Sequence, residues 1–552
     1  MLLIVVSFFV AVTISVSSGS VVVVSPNEEG NHIVHVNFDN VTTISQTTAT
    51  LQVVSNPILD TKYSPIAPTL FDNLAALKAD LVRYAAWYPY PVVGVAELEP
   101  PDVETRTTSW KFSDELQQQF LDVWKSVVTK GGQRLVITFS TQPAWMFNTT
   151  DWSYSNDTSR SDWRYARGTW MPSTTRLVAD YYARLASWMV LGEFQDELGN
   201  TITGGPKFGL GKENGGVTHW EIFNEPEAEH HLTPHQYNLL YDAIVRAIRN
   251  AVDPDHTIEF VGMALALHRE WDWWKTFLNP SNHAVDVQDA VANGYASFHF
   301  YGRFSSRTNV STYQEVWERV DDFEDEVDQI IALRDELSPT TKLAVNELGV
   351  IPNDDNQKGA PDVPPIYYNM AAAVYTALLL KLSSRGVDIV GSSQYCGCPD
   401  IPEWGIPDRQ YPGVSMTNWT TGSGNPRYWA LKMMNEKVGP GDSIVYTSII
   451  SPKQRGRNSD VIAQARVTAQ GCKLVILVNK SDQKRRVTLP FIEFMDRSGG
   501  NITHKVSVVD ALSHDGPWRE YTIQSPLVTL NGFAVAVIEV VGAEKTSYEY
   551  ST

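Results

Sequence analysis

Short apolar runs alternate with amphipathic stretches over most of the chain, and this alternation restricts the fold more than any other feature of the sequence. It is typical of parallel strands joined by helices, because each crossover between parallel strands needs a dozen or more residues. Eight parallel strands with helices between them close a (β/α)₈ barrel. The sequence therefore predicts an α/β barrel over residues 49–437, with strands at Ala49–Val54, Leu81–Trp87, Arg134–Phe139, Thr218–Phe223, Ile258–Met263, Ala296–Phe300, Lys342–Asn346 and Val387–Gly391.

Helical periodicity connects these runs. The clearest helix begins with Thr233 as N-cap and Pro234 as first helical residue, two residue types that favour helix starts. Its expected buried stripe consists of Tyr237, Leu240, Tyr241, Ile244 and Ile248. Further helices are predicted near Phe71–Lys78, along the apolar face formed by Leu116, Phe120, Trp124 and Val127, and near Tyr313–Glu336 and Tyr367–Ser383.

The pattern changes after residue 437, where short alternating runs separated by turn residues replace the helical period. Such runs are typical of a β-sandwich, which we expect over residues 438–552. Strand-like runs in residues 21–48 are candidates to join the same domain. The predicted sandwich strands are Ser443–Ile449, Val461–Val467, Lys473–Asn479, Lys505–Val509 and Phe533–Val540.

Residues 1–20 form an apolar run followed by small side chains, the layout of a signal peptide, although no positive charge precedes the run. A membrane anchor is the alternative, but the run is shorter than the roughly 20 apolar residues that a span needs. We therefore expect a secreted chain, or one in a lysosome-like compartment, without stable membrane insertion. N-x-S/T sequons fit this expectation and lie at Asn40, Asn148, Asn156, Asn309, Asn418, Asn479 and Asn501.

Charge and cysteine content exclude several classes of protein. The formal net charge of −19 opposes binding to a phosphate backbone, so no nucleic-acid partner is expected. Cys396, Cys398 and Cys472 are the three cysteines of the chain. They are too few for a disulfide scaffold and lack zinc-site spacing, while one bridge with one free thiol stays an open alternative.

Two carboxylates follow strands at the end of the barrel where active sites lie. The fourth strand ends in Asn224-Glu225-Pro226 and the seventh in Asn346-Glu347. Glycosidic cleavage needs two carboxyl groups flanking the scissile bond, about 5–5.5 Å apart in a retaining mechanism. Solvated loop carboxylates are the simpler interpretation. The proline that fixes the first turn, together with the second glutamate, favours a catalytic pair that acts on a carbohydrate.

The chain resembles glycoside hydrolase family 39, the family of β-xylosidases and α-L-iduronidases. This family belongs to the large clan of barrel glycosidases with catalytic glutamates on strands four and seven. The resemblance covers roughly residues 50–440 and is carried by Val82–Tyr84, His219–Pro226, Ser297–Tyr301 and Asn346–Gly349.

This resemblance implies Glu225 as acid/base, Glu347 as nucleophile and Asn224 as a partner of the sugar 2-hydroxyl. The chain departs from the family pattern at two positions that line the sugar pocket: Phe223 replaces the common Trp, and Glu227 replaces the common Asn. Neither xylosidase nor iduronidase activity is therefore implied.

Three further polar side chains are candidates for the substrate site. His299 and Tyr301 share one face of the sixth strand, where either can hydrogen-bond the nucleophile and keep it ionised; a buried, satisfied pair is the alternative. Arg83 on the second strand needs an acidic partner if it is buried. Glu347 or a substrate carboxylate would supply one, and a core ion pair is the alternative.

Trp145 after the third strand and Trp419 after the eighth are candidate sugar platforms, and equally candidates for the core. His230 is expected to contact substrate or to be solvated. With His231 and His235 it lacks the spacing of a helical zinc site. No metal and no cofactor is expected.

The sequence thus predicts a secreted retaining O-glycosidase that works through a glycosyl-enzyme intermediate. The alternatives are another family of the same clan with a different sugar, a barrel that binds sugar without cleaving it, and a structural cell-surface glycoprotein. The presence of both Glu225 and Glu347 speaks against the non-cleaving barrel.

Overall fold

The structure is a computed structural model that describes residues 31–62, 64–85, 105, 107, 108, 110, 114–140, 142–148, 170–355, 357, 359–401, 409, 411–452, 459–494 and 502–541. The predicted signal peptide, the sequons at Asn156 and Asn501 and the last two residues of the predicted strand Leu81–Trp87 lie outside these residues.

Eight parallel strands close into a barrel, in the chain order expected of a (β/α)₈ fold. They are β1 (Thr48–Val54), β2 (Val82–Ala85), β3 (Leu135–Phe139), β4 (His219–Ile222), β5 (Glu259–Leu265), β6 (Tyr295–Gly302), β7 (Lys342–Val350) and β8 (Ile389–Ser392). Each predicted run overlaps one of these strands, and the predicted barrel is confirmed.

Helices connect the strands of the barrel, and a last helix follows the eighth strand. They are α1 (Ala67–Ala76), α2 (Asp114–Trp124), α3 (Thr174–Leu191), α4 (Pro234–Val252), α5 (Trp271–Phe277), α6 (Gln288–Ala292), α7 (Glu315–Leu337), α8 (Ile366–Ser383) and α9 (Pro426–Lys437). At the start of α4, Thr233 and Gln236 form a reciprocal capping box, and the predicted stripe of this helix is buried.

The inside of the barrel changes from apolar to charged along its axis. Leu81, Val136, Val261, Tyr295, Ala344 and Ile389 form one apolar cluster inside the strands. Two residues beyond four of these the chain places Arg83, Thr138, Ser297 and Asn346, and Glu221 of β4 pairs with Thr138 at the same level; all five are buried. Since alternate residues of a strand share one face, this spacing brings a polar layer to the carboxyl ends of the strands.

The C-terminal domain is a β domain, as predicted. Its strands form one continuous sheet in the order Arg519–Ile523, His504–Val509, Val535–Val540, Lys473–Asn479, Val461–Val467, Ser443–Ile450, Asn31–Ile44, Arg485–Thr488 and Leu527–Leu530. Residues from all of these strands share one apolar cluster, so the sheet curls around its own core. The long strand Asn31–Ile44 lies between Ser443–Ile450 and Arg485–Thr488 and is bulged between Asn37 and Thr43.

The barrel and the β domain share an apolar interface. Lys473–Asn479 is buried on both faces: Leu474 and Ile476 belong to the same cluster as the barrel residues, whereas Val475 and Leu477 face the core of the β domain. A strand buried on both faces reads as a continuous apolar run, which is what this segment shows.

The three cysteines are unbridged thiols, with Cys396 and Cys398 buried and Cys472 exposed. Among the described residues, no helix combines the length and apolar character that crossing a bilayer requires.

Candidate active site

The two glutamates singled out above lie on irregular backbone, Glu225 just after β4 and Glu347 among the last four residues of β7. Glu225, just after β4, has φ of 41°, a conformation that non-glycine residues seldom adopt, and its backbone N–H donates to the carbonyl of Ala264 at 3.0 Å. In β7 the pairing with β6 shifts between Val345 and Glu347. Such bulges redirect a side chain, and here the shift precedes Glu347.

The structure brings these two carboxyl groups together. One carboxylate oxygen of Glu225, one ring nitrogen of His299 and one carboxylate oxygen of Glu347 all lie within 4.8 Å of one another. Glu347 is buried, whereas the side chain of Glu225 is 22 % exposed. A pair this close matches the separation of about 5–5.5 Å in retaining glycosidases better than the 6.5–9.5 Å of inverting ones.

Both oxygens of Glu347 accept hydrogen bonds from buried donors. Arg83 Nη1 donates to Oε1 at 2.7 Å, and the Tyr301 hydroxyl donates to Oε2 at 2.7 Å. Burial alone would raise the pKa of Glu347, but the charges of His299 and Arg83 and the bond from Tyr301 hold this pKa below its ordinary value. Glu347 is therefore ionised at neutral pH.

His299 connects the two glutamates. Its Nδ1 lies 2.8 Å from Glu225 Oε1 and 3.7 Å from Glu347 Oε2. Burial opposes a positive charge on the ring, but the carboxylates of Glu347 and Glu225 raise the pKa of His299 above its ordinary value. The imidazole thus holds Glu225 in place, and the two carboxylates favour its positively charged form.

Arg83 stands at the centre of the polar layer and is 2 % exposed. Its Nε donates to Glu221 Oε2 at 2.5 Å, its Nη2 donates to Asn224 Oδ1 at 2.7 Å, and its Nη1 also donates to Gln52. One cation therefore links β2 to β1, β4 and β7 and balances two buried carboxylates.

Asn224 is fixed from two sides. Besides the bond from Arg83, its backbone N–H donates to Ser140 Oγ at 2.8 Å, and that hydroxyl lies 2.9 Å from His230 Nε2. His230 therefore supports the turn after β4 through Ser140.

Two of the predicted site residues lie elsewhere. Trp145 is 2 % exposed within the apolar core, so it offers no face to a sugar. Trp419 lines a separate cavity beyond β8. His231 and His235 are exposed and do not gather with His230 into a metal-binding group among the described residues.

Glu221 is the site residue that the sequence interpretation missed. It is fully buried on β4 and accepts hydrogen bonds from Arg83, from Thr138 at 2.7 Å and from Asn346. The signal was a carboxylate between Trp220 and Ile222, inside an apolar strand. A charge at such a position demands a buried partner.

Glu225, His299 and Glu347 have the ligand types of a metal site, yet their surroundings do not fit one. Arg83 and Tyr301 already donate to both oxygens of Glu347, and His299 Nδ1 is bonded to Glu225. A divalent cation bound there would also be repelled by the buried positive charge of Arg83, because the site is too small to keep the two charges apart.

Glu227 is a second carboxyl close to the acid/base candidate. Its Oε1 accepts from the backbone N–H of Leu267 at 2.8 Å, and its buried Oε2 has no partner among the described residues. Burial, assisted by the charge of Glu225, raises the pKa of Glu227 to about 7.

We expect Glu227 to make folding stability fall as pH rises. Between its ordinary pKa near 4.5 and its folded value of about 7, the folded chain keeps a proton that the unfolded chain has released. Glu227→Gln should therefore gain stability relative to the parent by up to about 3 kcal/mol on going from pH 5 to pH 8. Urea unfolding at both pH values measures this, with exposed Glu336→Gln as control; equal pH slopes for parent and Glu227→Gln would contradict it.

Comparisons with known proteins find relatives by structure alone. No family model and no curated protein matches the sequence. The family 51 arabinofuranosidase of Xanthomonas axonopodis pv. citri superimposes with a TM-score of 0.61 at 12% identity, covering 93% of this chain and 100% of its own. A family 51 α-L-arabinofuranosidase of Bifidobacterium longum gives 0.54 at 14% identity, and a family 30 endoxylanase of Clostridium papyrosolvens gives 0.51 at 12%, each with 93% and 100% coverage.

Identities this low establish a shared fold and nothing finer. The chain has the architecture of these glycoside hydrolases, a closed barrel of eight parallel strands with an additional β domain.

Proposed function

We propose that this protein is a retaining glycoside hydrolase with Glu347 as nucleophile and Glu225 as acid/base. The observation that carries the proposal is the pairing of these carboxyl groups, within 4.8 Å at the carboxyl ends of β4 and β7. This is the end of the barrel where catalytic groups lie. The two carboxyl groups also have different surroundings. Glu347 is buried among donors, whereas Glu225 is partly open to solvent and to a leaving group.

In the first step, a carboxylate oxygen of Glu347 attacks the anomeric carbon and forms an ester as the glycosidic C–O bond breaks. The proton of Glu225 passes to the departing oxygen, so that the aglycone leaves as an alcohol. Arg83 and Tyr301 keep the nucleophile ionised and oriented beforehand, and Asn224, held by Arg83 and Ser140, is positioned to bind the 2-hydroxyl.

In the second step, Glu225, now a carboxylate, accepts a proton from water. As this proton is transferred, the water oxygen attacks the anomeric carbon and the ester bond to Glu347 breaks, so that Glu347 leaves as a carboxylate. Two inversions leave the product with the configuration of the substrate. His299 lies against Glu225 in both steps and stabilises its charged form in the second.

Membership of family 39 is part of the proposal, supported by the Asn-Glu-Pro turn and the segments named above. The structural relatives include an arabinofuranosidase, an endoxylanase and a glucosidase. Arabinosides, xylosides and glucosides are therefore the first substrates to test.

Secretion is also proposed, from the apolar leader and the sequons. Asn40 and Asn309 are exposed, as glycosylated asparagines must be. Asn479 is fully buried and its amide donates to the carbonyls of Gln483 and Asn531 at 2.8 Å, so this sequon lends no support.

A barrel that binds sugar without cleaving it is the competing function. Incubation with a panel of aryl arabinosides, xylosides and glucosides separates the two, because only an enzyme releases the aryl alcohol. Release with retention of anomeric configuration supports the proposal. No release from any substrate by a folded protein that still binds sugar would overturn it in favour of the alternative.

We expect Glu225→Gln to separate substrates by their leaving groups. For alkyl glycosides, which need protonation, kcat/KM should fall about 10³-fold, whereas aryl glycosides with acidic leaving groups should lose little, since general acid catalysis supplies about 10²–10⁴-fold. Kinetics on a series of leaving groups measures this. The exposed Glu270→Gln serves as control, and equal losses across the series would count against the acid role.

A further inference from the structure

A cavity lies among the loops beyond the strands of the barrel. Its volume is about 390 Å³, within the range of roughly 300–1,000 Å³ typical of small-molecule sites. Loops that follow β6, β7 and β8 line it, together with Asp515 of the β domain. It therefore opens at the same end of the barrel as Glu225 and Glu347.

Hydrogen bonds connect this cavity to the active site. Tyr301, which donates to Glu347, lies 2.6 Å from Ser393 Oγ. The next residue, Gln394, donates its N–H to the carbonyl of Val414 at 3.1 Å, and Ser415 lines the cavity. The wall of the cavity is thus hydrogen-bonded to the segment that contains Ser393. Ser393 contacts Tyr301, which donates to Glu347.

Two aromatic rings stand in the cavity in fixed orientations. The indole N–H of Trp419 donates to Ser415 Oγ at 3.1 Å, and the hydroxyl of Tyr368 donates to the carbonyl of Pro412 at 3.3 Å. Both rings are partly exposed. A flat, partly exposed ring with a tethered edge is suited to stack on the apolar face of a sugar.

Polar side chains surround these rings, and both arginines among them are already paired with carboxylates. Arg409 pairs with Asp362, and Asn418 Nδ2 donates to Asp515 at 3.1 Å. Arg307, also in the lining, pairs with Asp355 at 2.8 Å. Amide and carboxylate groups at a rim whose arginines are already paired fit the hydroxyls of a neutral sugar better than an anion.

We propose that this cavity binds a second glycosyl unit of an oligosaccharide substrate, with Trp419 as its stacking platform. The inference rests on the proposed function and deepens it, because it makes the substrate a chain of neutral sugars that reaches beyond the cleaved bond. Both domains contribute to the site, through Trp419 of the barrel and Asp515 of the β domain.

The test compares kcat/KM on an oligosaccharide and on an aryl monoglycoside of the same sugar. Trp419→Ala should lower the ratio of the two about tenfold, the size of effect typical of removing a buried aromatic anchor, and Trp419→Phe should recover most of it. Tyr446→Ala, which removes an aromatic ring 48% exposed on the β domain, should leave the ratio unchanged. An unchanged ratio in Trp419→Ala, or equal losses on both substrates, would overturn the proposal.

Binding to the Glu347→Gln variant separates this inference from the proposed hydrolysis. Calorimetry with xylo-, arabino- and gluco-oligosaccharides is run with Trp419 present and replaced by alanine. Binding that depends on Trp419 supports the cavity site even if the parent protein cleaves none of them. Binding that is equal in both proteins, or absent in both, overturns it even if the parent cleaves aryl glycosides.

Discussion

Glu347→Ala is expected to lower kcat about 10⁵-fold or more, the scale of loss on removing a nucleophile that acts with its partners. Without this carboxylate no glycosyl ester can form. Added azide should restore turnover of an activated aryl glycoside, because it fits the space that the side chain leaves and attacks from the same side. The product should be a glycosyl azide with the configuration opposite to that of the substrate, which proton NMR of the anomeric centre measures.

Glu347→Gln is the matched control for this rescue. The amide fills the same space, so turnover should be lost equally while azide gives no recovery. The fold should survive in both variants, because Arg83 keeps its bond to Glu221. Azide that fails to rescue a folded alanine variant, or a rescued product of unchanged configuration, would remove Glu347 from the role of nucleophile.

The barrel could be predicted because each strand is a short apolar run between turn residues. Such runs report burial directly, and eight of them leave few alternatives. The helix α3 was missed although Gly192 ends it in a left-handed conformation with φ of 84°. Its N-cap, Ser173, makes no side-chain capping bond, so the start lacks the signal that identified α4.

The side chains that the structure gathers around Glu347 were largely visible in the sequence, because Arg83, His299 and Tyr301 are polar residues on apolar strands. Their partners were not. The pairing of Arg83 with Glu221 depends on which residues of β2 and β4 face inwards at one level. The bulge before Glu347 likewise depends on register between strands, which a single sequence does not display.

The two candidate tryptophans show what the sequence could not predict. Trp145 and Trp419 each follow a barrel strand, and both carry the same large apolar surface. One is buried in the core and the other lines a cavity. Loop packing has no periodic signal, so residue type alone could not separate a platform from a core residue.

Arg83→Met is expected to destabilise the barrel by about 3–5 kcal/mol, because removing one partner of a buried ionic network leaves the other charges uncompensated. Glu221 and Glu347 would lose their shared cation, while Gln52 and Asn224 would lose a donor. Arg176→Met is the matched control. That arginine is 68% exposed in a pair with Asp180, and losing such a surface pair should cost less than about 1 kcal/mol. Urea unfolding followed by tryptophan fluorescence compares the two.

The same substitution should also change the pH dependence of catalysis. The charge of Arg83 helps to hold the pKa of Glu347 below its ordinary value, so its loss should move the acidic limb of kcat/KM to higher pH. Arg83→Lys keeps the charge but loses the planar fork, and should therefore retain much of the acidic limb while losing stability. An Arg83→Met protein with the parent's acidic limb would show that His299 and Tyr301 alone keep the nucleophile ionised, because they are its remaining partners.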